Sequence, residues 1–196
     1  FTRQLARHGS QEMRGIDISP AMIKRARQNE VEEALGIQYS VGCVTEFSFD
    51  VYSQFDLITA VFVYNYLTIE QMKTSMALIY QNLTEAGQFI FSLPHPIHPF
   101  LSGNVSRFHF KRSGGWFSGK DNIFEGTIAM KEGETVAVRC MHKIFEDVFD
   151  ALREAGFRKF PELKELTVTE EPLQQDPKFF GPLRDLPLHI AIRVER

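Results

Sequence analysis

Cysteine is scarce in this chain. Only Cys43 and Cys140 occur, too few for a disulfide framework and not spaced as metal ligands. The pair fits a reducing, cytoplasmic setting. Long apolar runs are missing, so no segment reads as a membrane-spanning helix. The first residues carry no basic-then-apolar leader pattern. Positive charge has no excess: 22 Lys and Arg stand against 25 Asp and Glu, a formal net charge of −3. The basic residues are scattered, which removes the electrostatic footprint of a nucleic-acid binder or of a polybasic membrane patch. No internal repeat and no linker divides the chain, and 196 residues suffice for a single domain with a sizeable core. Phenylalanine, by contrast, is abundant at 18, which suits either an aromatic core or an aromatic substrate pocket.

Strand and helix signals alternate from Met13 to Leu93. Phe1 to His8 reads as the end of a helix closed by Gly9. Met13 to Ile18 reads as a strand, Pro20 to about Leu35 as a helix stopped at Gly36, and Ile37 to Val41 as a short strand. The apolar run Phe55 to Val63 suits a parallel strand covered on both faces. Ile69, Met72, Met76, Ile79, Tyr80 and Leu83 recur at helical spacing, Gly87 reads as the stop, and Gln88 to Leu93 as another buried strand. Such alternation with short links predicts right-handed βαβ units on a parallel sheet.

Pro94 to Met141 breaks the pattern. Phe108–Arg112, Ile123–Met130 and Thr135–Met141 read as strands, the last two flanking a hairpin turn at Lys131-Glu132-Gly133-Glu134. This predicts a cap inserted at residues 94–141 over the carboxyl edge of the sheet. Lys143 to Ala155 reads as an amphipathic helix closed by Gly156. Two final strands are expected at Lys159–Val168 and Leu188–Val194. Between them Glu170 to Pro187, with four prolines, reads as an exposed loop.

The densest signal is Arg14-Gly15-Ile16-Asp17-Ile18-Ser19-Pro20-Ala21-Met22-Ile23. A short apolar strand ends in an acid, and a helix start follows at once, with Ser19 as N-cap and Pro20 at the first helical position. In a nucleotide-binding α/β sheet such a carboxylate accepts hydrogen bonds from ribose hydroxyls. It also suits a helix N-terminus for its charge alone. The run Gly-Ile-Asp-Ile-Ser, then Met22-Ile23 and Ala26-Arg27, resembles the second strand and helix of class I S-adenosylmethionine-dependent methyltransferases. The resemblance covers most of Phe1–Leu93 and, more loosely, Lys143–Arg196. It implies S-adenosylmethionine as methyl donor and Asp17 as its ribose ligand, flanked by Ile18 and Met22, which core packing explains equally well. Val41-Gly42-Cys43-Val44 falls where the family often carries an acid that bonds the adenine amino group. Cys43 is a poor acceptor there, which leaves the backbone of Cys43 and Val44 to serve; simple burial of the thiol is the other reading. The backbone at Ala60 and Val61 would line the methionine part of the donor, while Asp56 reads as structural. The family's glycine-rich turn is absent. Phe1–His8 corresponds to the helix after it, so the first strand and the glycine loop are expected upstream of Phe1; the other reading is a domain that has lost them.

Tyr64, Asn65 and Tyr66 fall at the carboxyl edge, where a tyrosine ring either meets a sulfonium by cation–π attraction or packs under the cap. His95 and His98, in the proline-stiffened run Ser92–Phe100, are the general-base candidates, since histidine takes a proton near neutral pH. A structural loop is the competing reading. A His-x-x-His metal site lacks further ligands nearby, and no metal is expected. His109, Trp116 and His142, with the cap phenylalanines, suit contact with a small organic acceptor or a surface for a second copy in a homodimer. His8 and His189 read as structural.

The expected class is therefore α/β: a Rossmann-like, mostly parallel sheet with an antiparallel final strand pair and a small antiparallel cap insertion. The resemblance implies methyl transfer to an oxygen or nitrogen of a small molecule by in-line displacement, with alignment supplying most of the acceleration. No nucleic-acid or membrane partner is expected. Two rivals stand beside it. A nicotinamide-dependent oxidoreductase shares the strand–acid–helix pattern. A non-catalytic interaction domain accounts for Cys43 and the missing glycine loop.

Overall fold

In the computed structural model, which describes residues 1–46, 54–101, 108–130 and 133–196, the first helix, α1 (Thr2–Arg7), precedes two parallel strands. Strand β1 (Arg14–Asp17) pairs with β2 (Gln38–Val41), and Asp17 stands opposite Val41. Helix α2 (Pro20–Glu32) joins them. Ser19 caps it by accepting the Met22 N–H at 3.4 Å, and Pro20 occupies the first turn. Ile23 and Ile37 are the buried apolar residues here. Gly15 is required by close approach: a Cβ there would lie 2.7 Å from the Tyr39 ring. Arg3 bridges α1 to Glu30 and Glu33 of the next segment, both at 2.8 Å. The Glu30 carboxylate also accepts the N–H groups of Leu35 at 2.6 Å and Ile37 at 3.1 Å. Those bonds draw the chain out of the helix at Glu32, three residues before the expected end at Leu35, and Gly36 completes the turn with φ of +77°. These elements form one compact unit, Phe1–Tyr52; Ser53–Arg196 forms the other.

The second unit runs β3 (Phe55–Val61), a 3-10 turn at Tyr64–Tyr66, α3 (Ile69–Asn82), β4 (Leu83–Pro94), then β5 (Phe108–Lys111), β6 (Ile123–Ala129) and β7 (Thr135–Met141). Helix α4 (Phe145–Ala155), β8 (Glu162–Leu166), α5 (Glu170–Gln175), α6 (Pro177–Phe180) and β9 (His189–Glu195) complete it. Its main sheet has the order β3-β4-β9-β8, and β5-β6-β7 form a separate antiparallel sheet. Thr68 and Gln71 start α3 with a reciprocal pair of bonds: the Thr68 hydroxyl accepts the Gln71 N–H at 3.1 Å, and the Gln71 side chain accepts the Thr68 N–H at 2.9 Å. The core joins Tyr64, Met72, Met76, Phe89, Phe91, Leu152 and Ile190. Phe89 stacks on Phe91 at 4.8 Å and on Phe157 at 6.1 Å.

Four expectations need correction. The main sheet is not mostly parallel: β3-β4 is parallel, as is β1-β2, whereas β4-β9 and β8-β9 are antiparallel; the antiparallel final pair β8-β9 and the antiparallel β5-β6-β7 sheet are as expected. The cause in the main sheet is β9, which lies antiparallel on the edge of β4 away from β3. Second, Gly87 does not stop α3. It lies inside β4, which opens at Leu83 opposite Phe55 and then shifts register before Leu57 meets Gln88. A Cβ on Gly87 would stand 2.9 Å from the Phe55 carbonyl oxygen, so the shift needs glycine. Third, β3 stops at Val61, because Phe62 turns with φ of +53°. Fourth, residues 170–187 are not a loop. They hold α5, α6 and a 3-10 turn at Gly181–Leu183, with Leu183 buried. Pro177 and Pro182 sit in first turns, where a missing N–H costs nothing. The β6–β7 hairpin is closed by Met130 N–H donating to Glu134 O at 2.7 Å; Lys131 and Glu132 of the expected turn lie outside the described residues. Among the described residues no helix is long and apolar enough to cross a membrane.

Phe89 is fully buried between two aromatic partners. Phe89→Ala is expected to cost about 3–5 kcal/mol. Urea unfolding should show the lower midpoint with an unchanged slope, and a loss below about 1 kcal/mol would remove Phe89 from the centre of the core.

Candidate active site

In the first unit, the parallel pairing brings the ends of β1 and β2 side by side. Asp17 is exposed, and one of its carboxylate oxygens, Oδ1, accepts the Ser19 N–H at 2.8 Å. That bond holds the exposed carboxylate at the mouth of α2. The Gly42 N–H donates to the Asp17 carbonyl at 3.1 Å, which carries the chain past Asp17 into Cys43 and Val44. Ile18 is 71% exposed and Met22 55% exposed, so neither belongs to the core. Cys43 is half-buried, with Sγ 3.0 Å from the Thr45 hydroxyl. At this strand edge, then, lie one carboxylate, two uncovered apolar side chains and a run of backbone amides.

In the second unit, Ala60 is buried at the end of β3 and Val61 is exposed beside it. The Phe62 N–H donates to Ser92 O at 3.2 Å, and its ring lies 4.8 Å from that of His189. Beyond β4, His95, His98, Tyr64, Asn65, His142 and Lys143 line one cavity of about 40 Å³. The structure thus gathers five of the residues singled out from sequence. It gives them different states. His95 has both ring nitrogens engaged: Nδ1 accepts the Ile97 N–H at 3.2 Å, and Nε2 bonds Glu165 Oε1 at 3.0 Å. It fastens the proline loop to β8 and has no nitrogen left to take a proton from an acceptor. Tyr64 is fully buried, its hydroxyl 3.3 Å from the Ser75 hydroxyl and its ring edge-on to Phe91 at 5.4 Å. Burial raises its phenol well above the ordinary range. It is a core residue whose edge borders the cavity.

His98 is buried and edge-on to Phe110 at 6.2 Å. Burial, then the neighbouring His189 and His95, push it down to about 4, so it is neutral at physiological pH. His142 stacks on Phe124 at 5.0 Å and is flanked by Phe100 and Trp116. Its Nε2–H donates to the Trp116 carbonyl at 2.9 Å, which makes Nδ1 the nitrogen with the lone pair. Burial lowers its pKa too.

Three residues fall outside this cavity. Tyr66 is 62% exposed on the 3-10 turn. His109 is exposed and adjoins Phe110 on β5; Phe110 faces the cavity, so strand alternation turns His109 to the other side. Trp116 stands behind His142, as part of its aromatic surround. Sequence reasoning passed over Lys143, which is buried at 5% exposure and donates to the carbonyls of Leu67 and Met141. Its signal was a lysine directly before an amphipathic helix, which reads as an ordinary solvated cation.

The methyltransferase-domain family profile matches residues 1–87. No curated protein sequence matches the chain. Among solved structures, an S-adenosylmethionine-dependent methyltransferase from Mesorhizobium loti superposes with a TM-score of 0.67 at 19% identity, over 99% of this chain and 84% of that one. The amino pentose methyltransferase CalS10 from Micromonospora echinaspora gives 0.61 at 14% identity, over 99% and 78%. The glycopeptide N-methyltransferase MtfA gives 0.66 at 14%, over 99% and 75%. The fold is that of the S-adenosylmethionine-dependent methyltransferases. The profile match spans Asp17 and its flanking elements, so residues 1–87 are similar to a methyltransferase domain.

Three histidines, the buried His98 and His142 and the half-buried His189, have lowered pKa values. Unfolded histidine titrates near about 6.5. Between that value and the folded value of about 4 for His98, the unfolded chain binds more protons. Stability is therefore complete above about pH 6.5 and falls as pH drops toward 4. Melting temperature should fall by several degrees between pH 7 and pH 4.5, and His98→Gln should flatten that fall. Parallel curves for the two proteins would show that His98 does not contribute.

Proposed function

We propose that the protein transfers a methyl group from S-adenosylmethionine to an oxygen or nitrogen of a small organic molecule. The observation that carries this is Asp17: an exposed carboxylate at the carboxyl end of a parallel strand, pinned by the Ser19 N–H, inside the segment that matches the methyltransferase domain. The donor supplies an electrophilic methyl carbon on a sulfonium sulfur. Asp17 Oδ2 accepts from the ribose hydroxyls. Ile18 and Met22 offer uncovered apolar surface to the adenine, and the amides of Cys43 and Val44 meet its ring nitrogens.

On the acceptor side, the lone pair of an acceptor oxygen or nitrogen attacks the methyl carbon, the carbon–sulfur bond breaks, and sulfur keeps the bonding pair as a neutral thioether. Within the second unit, His98 and Nδ1 of His142 are the neutral imidazoles suited to take the acceptor's proton. The aromatic surround of His142 suits an organic acceptor, and the scattered basic residues and net charge of −3 favour a small molecule over nucleic acid. The solved methyltransferases named above, which act on an amino pentose and a glycopeptide, are consistent with that acceptor class. The scarcity of cysteine supports a cytoplasmic setting.

Calorimetric titration of S-adenosylmethionine and its demethylated product tests the reading. Saturable binding is expected, weakened about tenfold or more in Asp17→Ala, the loss typical of a charge-assisted pair of hydrogen bonds. Absence of binding to the chain, or binding of NAD in its place, would overturn it.

A further inference from the structure

The cavity lined by His98, Asn65 and Lys143 holds a charge imbalance. The Lys143 ammonium is 5% exposed and has three N–H donors, of which two reach the Leu67 and Met141 carbonyls. No carboxylate forms an ion pair with it among the described residues. The two acids that act on its charge, Asp121 and Asp147, are bonded elsewhere. Asp147 binds Lys120 at 2.5 Å and accepts the Ile144 N–H at 2.9 Å, while Asp121 accepts the Ile69 N–H at 2.7 Å. A buried cation without a counter-ion is strongly unfavourable unless something of opposite charge completes it. Burial lowers its pKa to about 8, opposed by Asp121, Cys140 and Asp147, so the cation persists at neutral pH.

The same cavity contains an unmatched acceptor. Asn65 is 8% exposed, and its Oδ1 is buried with no hydrogen-bond partner. A cation lacking an anion and a carbonyl lacking a donor therefore line one space of about 40 Å³. That space exceeds what one water needs and falls well short of an aromatic ring. It matches a carboxylate with one adjacent polar atom. A phosphate dianion, with four oxygens to satisfy, would meet a single cation and too few donors.

We propose that this cavity is the anchor for an acceptor that carries a carboxylate, with the carboxylate against Lys143 and a neighbouring hydroxyl or amine donating to Asn65 Oδ1. The inference rests on the methyl-transfer reading for the word acceptor only; the carboxylate site stands or falls on its own test. Anchored at that end, an α-hydroxy or α-amino acid presents its polar atom beside His98 and His142.

The test is an NMR titration of the full chain, without donor, following the lysine ε-methylene signals. The probes are glycolate, acetate, neutral methyl glycolate and inorganic phosphate. Glycolate is expected to shift the Lys143 signal saturably and to bind about tenfold more tightly than acetate or methyl glycolate. Lys143→Met should abolish the glycolate response; a thermal melt shows whether that variant is folded, and methionine in place of a buried charge is well tolerated. Asn65→Leu should reduce glycolate to the level of acetate and leave acetate unchanged. Equal shifts from glycolate and its methyl ester, unaltered binding in Lys143→Met, or a preference for phosphate would each overturn the proposal. Glycolate binding in a chain that fails to bind S-adenosylmethionine would uphold the site and refute the methyl-transfer reading; the reverse result would do the opposite.

Discussion

Strand β4 has both edges satisfied, and the second unit is organised by that constraint. β3 runs along one edge in parallel and β9 along the other antiparallel, so its backbone groups are paired inside the sheet. Phe89, Phe91 and Leu93 alternate into the core, where Tyr64 meets both phenylalanines edge-on. A strand fixed on both edges has one permitted exit. It leaves the sheet at Pro94, and the chain then turns at once through His95 and His98. The residues around the cavity come from three places: His98 from the loop after that exit, Asn65 from the turn after β3, and His142 and Lys143 from the return of β7 toward α4.

The legible parts of the fold were those governed by local periodicity and end signals. The cap of α2 at Ser19, the helical spacing from Ile69 through Ile79, the three cap strands and the glycine that ends α4 were all readable. The illegible parts depended on partners distant in sequence. The seat of β9 beside β4 is decided by pairing with a strand about a hundred residues earlier; an apolar run carries no mark of its neighbour or its direction, and the antiparallel final pair was expected from the family resemblance alone. Gly87 read as a helix stop because glycine marks both helix ends and strand irregularities. The prolines of residues 170–187 read as loop because proline breaks a helix interior, although it also opens one.

The site was partly legible for the same reason. Asp17 stood out because strand, acid, cap and helix are contiguous. The convergence of His98 and His142, 44 positions apart, was suggested by chemistry and shown only by the fold. The division of labour among the histidines was not readable. His95 and His98 look alike in sequence, yet one is held at both nitrogens and the other is neutral on the cavity wall. Lys143 was missed because a lysine's burial depends on what closes over it. The carbonyls of Leu67 and Met141 do so here.

The grip of His95 on Ile97 and Glu165 also bears on how such a protein diversifies. The root of the cap is tied to the body of the unit by a side chain that belongs to neither β6 nor β7. The two cap strands hold each other through their own antiparallel ladder. Sequence drift in that ladder therefore leaves the strand pairing of the main sheet intact. The ladder of the β5-β6-β7 sheet and the ladder of the main sheet are thus separate, and each is closed by its own strand pairing.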